Sequence, residues 1–278
     1  MKIPILVYHS HRILGNSYET NDHLALYYDL RTIQAQGFRI VPLRWIVEWI
    51  LGLREESTLR KSLTVTFDDG ADFDYYDLDH RQYGPQRSFY NILRDFQAEC
   101  GPATQPYLHA SSFVIVSPVA RREIGAHAGR NWMTDDWWRE ANNSGMMSIY
   151  SHSWDHNHPV AHRVCEKHQQ KGSFHTIDTY EECQGEVQQA AEYIHQKISP
   201  AWPGLFAYPW GQSSDYLREV YFPSFPDQHR TIAAFGASGG SVTRQSSRWD
   251  LPRFVFAAPW PAGWCSSDAL VHILQGVQ

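Results

Sequence analysis

Residues 63–70 read LTVTFDDG. Leu63 to Phe67 is a short run rich in apolar and β-branched residues, the composition of a buried strand. It stops at once on Asp68, Asp69 and Gly70. Six aspartates fall within the twelve residues that start at Asp68. Two adjacent carboxylates repel each other, and each must be hydrated, hydrogen-bonded or bound to a cation. A solvated turn is one reading, because Asp-Gly is a common turn pair. The other gives one carboxylate to a metal and the second to proton transfer.

Outward from this stretch, apolar runs of strand length alternate with helix-period segments. Further strands are expected at 3–8, 38–41, 112–116, 147–150, 205–208, 232–235 and 254–257. They read as continuous apolar runs, which suits a parallel sheet covered on both faces. Helices are expected in NDHLALYYDLRTIQAQG, capped by Asn21 or Asp22, and in PLRWIVEWILG, opened by Pro42 and closed by Gly52. Two more are expected in TDDWWREANNSG, starting on Thr134, and in DTYEECQGEVQQAAEYIHQKI, with a capping box from Asp178 to Glu181. This alternation implies an α/β fold, a (β/α) barrel or a doubly wound sheet. Residues 71–108 read as an elaborated loop with one helix (Arg87–Glu99), and 153–177 as a second long, histidine-rich loop. Both follow carboxyl ends of expected strands, where α/β folds place their active sites.

Composition narrows the function. At 278 residues, with 42% hydrophobic content, one domain spanning 1–278 accounts for the chain. The net charge of −6 argues against nucleic acid or an anionic membrane as partner. The longest apolar runs fall well short of the ~18 residues of a membrane span. Fifteen histidines point towards metal or acid–base chemistry, and eleven tryptophans are compatible with sugar stacking. Cys100, Cys165, Cys183 and Cys265 form no C-x-x-C pair and read as free thiols. With an N-terminus that lacks a secretory pattern, they give a cytoplasmic expectation.

The second loop opens with SHSWDHNHP, in which His152 and His156 are four apart and His158 and His162 extend the series. Alone, the spacing is weak: at this histidine content about 0.8 such pairs arise by chance. A fixed order of companion motifs changes the weighing. The chain resembles the polysaccharide deacetylase family, carbohydrate esterase family four. Its T-F-D-D-G motif is Thr66–Gly70, its H-[ST]-x-x-H motif is His152–His156, and its R-x-P-[YW]-G motif is partly kept as Ala207-Tyr208-Pro209-Trp210-Gly211. An L-P-R element follows at Leu251–Arg253. The N-terminal PILVYHS is similar to the branch that contains the poly-N-acetylglucosamine deacetylases.

The resemblance implies a distorted (β/α) barrel and metal-dependent hydrolysis of an N-acetyl group on an amino-sugar glycan or glycoconjugate. It implies Asp69, His152 and His156 as metal ligands, zinc by default with cobalt or nickel as alternatives. It gives Asp68 the role of general base and the main chain of Trp210 the role of oxyanion donor, with Tyr208 beside it in the substrate site. The family arginine that pairs with the base is Ala207 here. Arg253 or Arg248 is the candidate replacement, and the plain alternative for both is a surface ion pair. For the acid that protonates the departing amine, the branch implies His9, at the end of the first strand. The rival, His272, sits in SSDALVHILQG, which reads as a helix with an apolar stripe at Leu270, Ile273 and Leu274. Two other functions stay open: an allantoinase- or formamidase-like hydrolase of a small C–N substrate, and a carbohydrate-binding homologue of weak activity.

Overall fold

The computed structural model describes residues 1–162, 164 and 170–277. Eleven strands are present among them: β1 (Ile5–Tyr8), β2 (Arg39–Ile40), β3 (Ser62–Phe67), β4 (Leu78–His80), β5 (Gly84–Gln86), β6 (Ala110–Val114), β7 (Met147–Ser151), β8 (Leu205–Ala207), β9 (Ala233–Phe235), β10 (Phe254–Phe256) and β11 (Gly263–Trp264). Nine form one sheet in the order β11-β10-β1-β3-β6-β7-β8-β9, with β2 paired to the start of β3. Every pairing within it is parallel.

The sheet curls until its two sides are joined by one short segment. Leu251 bridges to Phe235 of β9, and three residues later Phe254 pairs with Leu6 of β1. This is the distorted (β/α) barrel expected from the sequence, closed by irregular chain where an ideal barrel has a strand. Arg253 lies within that closing segment.

Side-chain alternation along the strands divides the core in two. Leu63, Val65 and Phe67 of β3 face outwards and pack with Phe89, Ile92 and Leu93 of the covering helix Phe89–Cys100. The opposite face of the barrel carries Ile5, Phe113, Tyr150, Leu205, Ala207 and Phe235, which fill its lower interior. Thr66 and Asp68 share that inward parity and rise towards the carboxyl ends of the strands. Side chains of β3 alternate between the two faces and all six residues are buried, as expected of a parallel sheet covered on both faces.

All eight expected strands are found, and their boundary errors have physical causes. The β6 strand ends at Val114 rather than Val116, because the N–H of Ile115 donates to Asp69 and that of Val116 to Ser153. The helix expected from Thr134 begins at Trp138, since Asp72 takes both the backbone N–H and the hydroxyl of Thr134. The capping box is Thr179–Glu182, one residue beyond the expected pair. Residues 71–108 contain, besides the expected helix, an antiparallel hairpin of β4 and β5. Two helical segments escaped the sequence reading: Pro118–His127 and the run through Tyr216–Tyr221, Phe222–Ser224 and Pro226–His229. No helix among the described residues is long and apolar enough to cross a membrane.

Candidate active site

The backbone turns left-handed just after Asp68, at the end of β3, and Asp68 and Asp69 meet different partners, Arg253 and the His152–His156 pair. Asp69 has φ 75° and Gly70 φ 70°. Glycine is required at the second position: a Cβ on Gly70 would lie 2.6 Å from Cγ1 of Val114. The Asp69 carbonyl accepts the N–H of Ile115 at 3.2 Å, and the N–H of Asp68 donates to the Tyr8 carbonyl at 3.1 Å. The motif is thus anchored to the strands on both sides.

His152 and His156 are brought to Asp69 by an equally constrained turn after β7. Ser153 and His156 have φ 68° and 65°, and the Ser153 hydroxyl accepts the His156 N–H at 2.9 Å. Oδ1 of Asp69 stands 3.5 Å from Nε2 of both histidines. These three ligand atoms lie within 4.8 Å of one another. Nδ1 of His152 donates to the Ala207 carbonyl at 2.8 Å, which fixes the tautomer and leaves Nε2 as a lone pair facing Asp69. Burial holds the His156 pKa down to about 3, so its imidazole is neutral as a ligand must be. Burial would raise the Asp69 carboxyl, but the surrounding histidines, His156 first, bring it below the usual range. One carboxylate and two imidazoles converging on one point fit a divalent cation.

Asp68 has a different environment. Arg253 forks onto it with Nη1 to Oδ1 at 2.7 Å and Nη2 to Oδ2 at 2.8 Å. Arg253 is 0% exposed; its Nε donates to the Gly236 carbonyl at 2.9 Å and its guanidinium lies over Phe113. This excludes the surface ion pair. Arg248 instead covers Trp249. The pair is opposed by burial, yet Arg253 and then His152 keep the Asp68 carboxyl below its ordinary value.

These groups line a cavity of about 420 Å³ that also contains His9, His11, His158, Trp210 and Gly211. His9 follows β1, and its N–H is held by Asp22 at 2.8 Å. The Trp210 main chain turns left-handed (φ 53°) at the cavity edge, and its indole, 41% exposed, meets His156 edge-on at 4.3 Å. His162 does not line the cavity, and His272 lies on the helix Ser267–Gln275 beside Trp260.

Tyr208 requires a correction. Its side chain is 0% exposed, its hydroxyl donates to the Trp249 carbonyl at 2.7 Å, and it packs in a separate cluster with Phe206 and Phe222. Its N–H and carbonyl are engaged with Phe235 and Gly211. Tyr208 supports the loop and does not line the cavity.

Two buried acids at the site went unread. Asp74 accepts the hydroxyls of Ser10 and Ser112 at 2.5 and 2.6 Å, and burial raises it to about 7, with Asp69 and Asp68 adding to the effect. Glu186, in the π-helical turn Gln184–Gln188, accepts the N–H groups of Trp154 and Asp155 at 3.0 and 3.3 Å. Those are two of the peptides between the histidines. Burial, and then the Asp155 carboxyl bonded to it, raises Glu186 well above the usual range. The only sequence signal for Asp74 was the aspartate cluster itself; Glu186, more than thirty residues from the motif, had none.

A sequence model of the polysaccharide deacetylase family matches residues 55–221, which hold the carboxylate pair, the histidine turn and the Trp210 loop. The chain belongs to the polysaccharide deacetylase family. Deacetylases of this family remove N-acetyl groups from glycans by hydrolysis. The fold is shared along nearly the whole length with Streptococcus pyogenes deacetylase PplD in complex with acetate (TM-score 0.65, 16% identity, 99% of this chain and 98% of that one). It is shared equally with IcaB from Ammonifex degensii (0.61, 18%, 100% and 97%). The deacetylase domain of BpsB from Bordetella bronchiseptica is similar (0.57, 16%, 92% and 96%). No curated protein sequence matches the chain.

Proposed function

We propose that this polysaccharide deacetylase is a metal-dependent hydrolase acting through one catalytic unit, residues 1–278, on an N-acetylated amino-sugar glycan or glycoconjugate. The observation that carries the reading is the separation of two adjacent carboxylates: Asp69 faces two imidazoles while Asp68 is forked by a buried arginine. Asp69, His152 and His156 would hold the cation, zinc first and cobalt or nickel next. When bound it supplies Lewis acidity to the amide carbonyl and acidity to water.

The residues supply the rest. Asp68 accepts the proton of the attacking water, and its bidentate grip by Arg253 keeps it ionised and aimed. The Trp210 main-chain N–H donates to the oxyanion that develops on the carbonyl oxygen. His9 donates a proton to the nitrogen as the C–N bond breaks, leaving a carboxylate and a free amine. Arg253 takes the place of the family arginine: Ala207 presents only a methyl to the barrel interior, and the closing segment delivers the guanidinium from the other side. The free thiols of Cys100 and Cys183, and of Cys265 at the surface, support a reducing, cytoplasmic setting; Cys165 lies outside the described residues.

The test is release of acetate from N-acetylglucosamine oligomers beside hydrolysis of allantoin. Acetate from the oligomers with allantoin untouched is the expected result. Allantoin turnover alone would assign the protein to small C–N substrates, and binding of the oligomers without turnover would make it a binding homologue.

A further inference from the structure

The groups that would do chemistry occupy only part of the cavity wall. On the side of β3 and β6 the lining is Ala71, Ile115, Ile124, Ala128, Trp132 and Met133. The two carboxylates stand at the end of β3 itself, next to Ala71, and the histidines that line the cavity follow β1 and β7. Given the functional reading above, on which this argument rests, an amide carbon in the site has three substituents to place. Its oxygen belongs with the Trp210 N–H, which follows β8, and its nitrogen with His9, which follows β1. The strand order runs β1-β3-β6-β7-β8. Of the two arcs between β1 and β8, the one through β9 and β10 adds only Ala237 and Val255 to the lining, so the third substituent, the acyl carbon, is given the longer apolar wall on the β3 and β6 side.

That side is apolar and firmly built. The N–H of Asp72 donates to the Trp132 carbonyl at 2.7 Å, and its carboxylate binds Thr134 twice. Buried Arg121 donates to the Met133 carbonyl at 3.2 Å and to Asp135 at 2.8 Å. Gly125 lets the segment close onto the helix Pro118–His127, since a Cβ there would lie 2.6 Å from the Arg130 carbonyl oxygen. From Ile115 the wall continues outwards to Ile124 and Ala128, four residues apart on one helix face. An acetyl methyl covers a small part of it. Sugar hydroxyls find almost no partner on it, the Trp132 indole N–H being the one hydrogen-bonding side-chain group.

We propose that this cleft accepts N-acyl groups longer than acetyl, with the acyl chain lying along Ile115, Ile124, Trp132 and Met133. The reaction is unchanged: water adds, the C–N bond breaks, and a longer carboxylate leaves in place of acetate. Each methylene that leaves water for the wall is worth about fourfold in binding.

The test uses the full chain with chitobiose amines carrying N-acetyl, N-butyryl or N-hexanoyl groups, following the freed amine so that every acyl group is read alike. N-butyryl is expected to match or exceed N-acetyl in kcat/KM. Ile124→Trp, which lays an indole on the wall, should lower the butyryl-to-acetyl ratio at least about tenfold. Should that variant fail to fold, Ala128→Trp at the exposed rim reads the same ratio. Cleavage of the N-acetyl compound with N-butyryl slower by about a hundredfold or more overturns the proposal. A ratio unchanged in a folded variant overturns it as well. If none of the amides is cleaved, the functional reading fails and this proposal falls with it.

Discussion

Arg253 and Asp68 meet in two parallel hydrogen bonds of 2.7 and 2.8 Å inside the barrel, 185 residues apart in the chain. Among the described residues neither has another charged partner as close, and both are buried. In the proposed mechanism Arg253 serves Asp68 as the resemblance has the family arginine do, whose place Ala207 takes here.

Removing the cation should therefore act on both stability and pH dependence. Arg253→Ala leaves a buried carboxylate uncompensated and is expected to cost about 3–5 kcal/mol. It also releases Asp68 to the upward push of burial, so the acid limb of the pH–rate profile moves to higher pH. Denaturant unfolding and kcat/KM against pH check the two effects separately.

The proposed mechanism gives the general acid to His9, which lines the cavity. His9→Ala is expected to lose about 10²-fold or more in kcat while keeping its metal. His272→Ala, on an outer helix, should change kcat by less than about threefold. Metal content measured beside kcat in both variants decides; the reverse pattern would move the acid to His272.

Glu186 should behave as a buried acceptor that holds the histidine turn. Glu186→Gln keeps one acceptor and one donor, so metal affinity is expected to stay within about threefold of wild type. Glu186→Ala frees the Trp154 and Asp155 N–H groups and should weaken it about 10–100-fold. Competition with a chelating dye measures both.

Asp74 gives a stability trend opposite in sign to that of Asp68. Its folded pKa of about 7 lies above the unfolded value near 3.8. Between those values the folded state holds a proton that the unfolded chain has lost, so stability falls as pH rises from about 4 to 7. Asp74→Asn, which cannot ionise, should flatten that slope, seen as the denaturation midpoint across the range.

The strands and the clustering of Asp69, His152 and His156 were legible in the sequence because each depends on local order. Apolar runs mark strands, and Asp69, His152 and His156 sit in short motifs whose turns need particular residues. Arg253 could be named only as one of two candidates, since its role depends on how the barrel closes, a contact between distant segments. Tyr208 was misplaced because its motif shows a loop at the site but not which way each side chain points; alternation along β8 and the Trp249 carbonyl turn it away from the barrel interior, towards Phe206 and Phe222. Glu186 was invisible for the same reason as Arg253. A helix distant in sequence carries it, and a π-turn aims it.

The account stands on the division of labour between Asp69 with its two histidines and Asp68. The most direct measurement is metal content and acetate release together, on protein stripped by chelator and then given one equivalent of zinc. Wild type should be inactive when stripped and recover on addition. His152→Ala and His156→Ala should neither retain the metal nor recover, and Asp68→Asn should retain it and stay inactive. Full activity in the stripped protein, or metal retained by both histidine variants, would contradict the account.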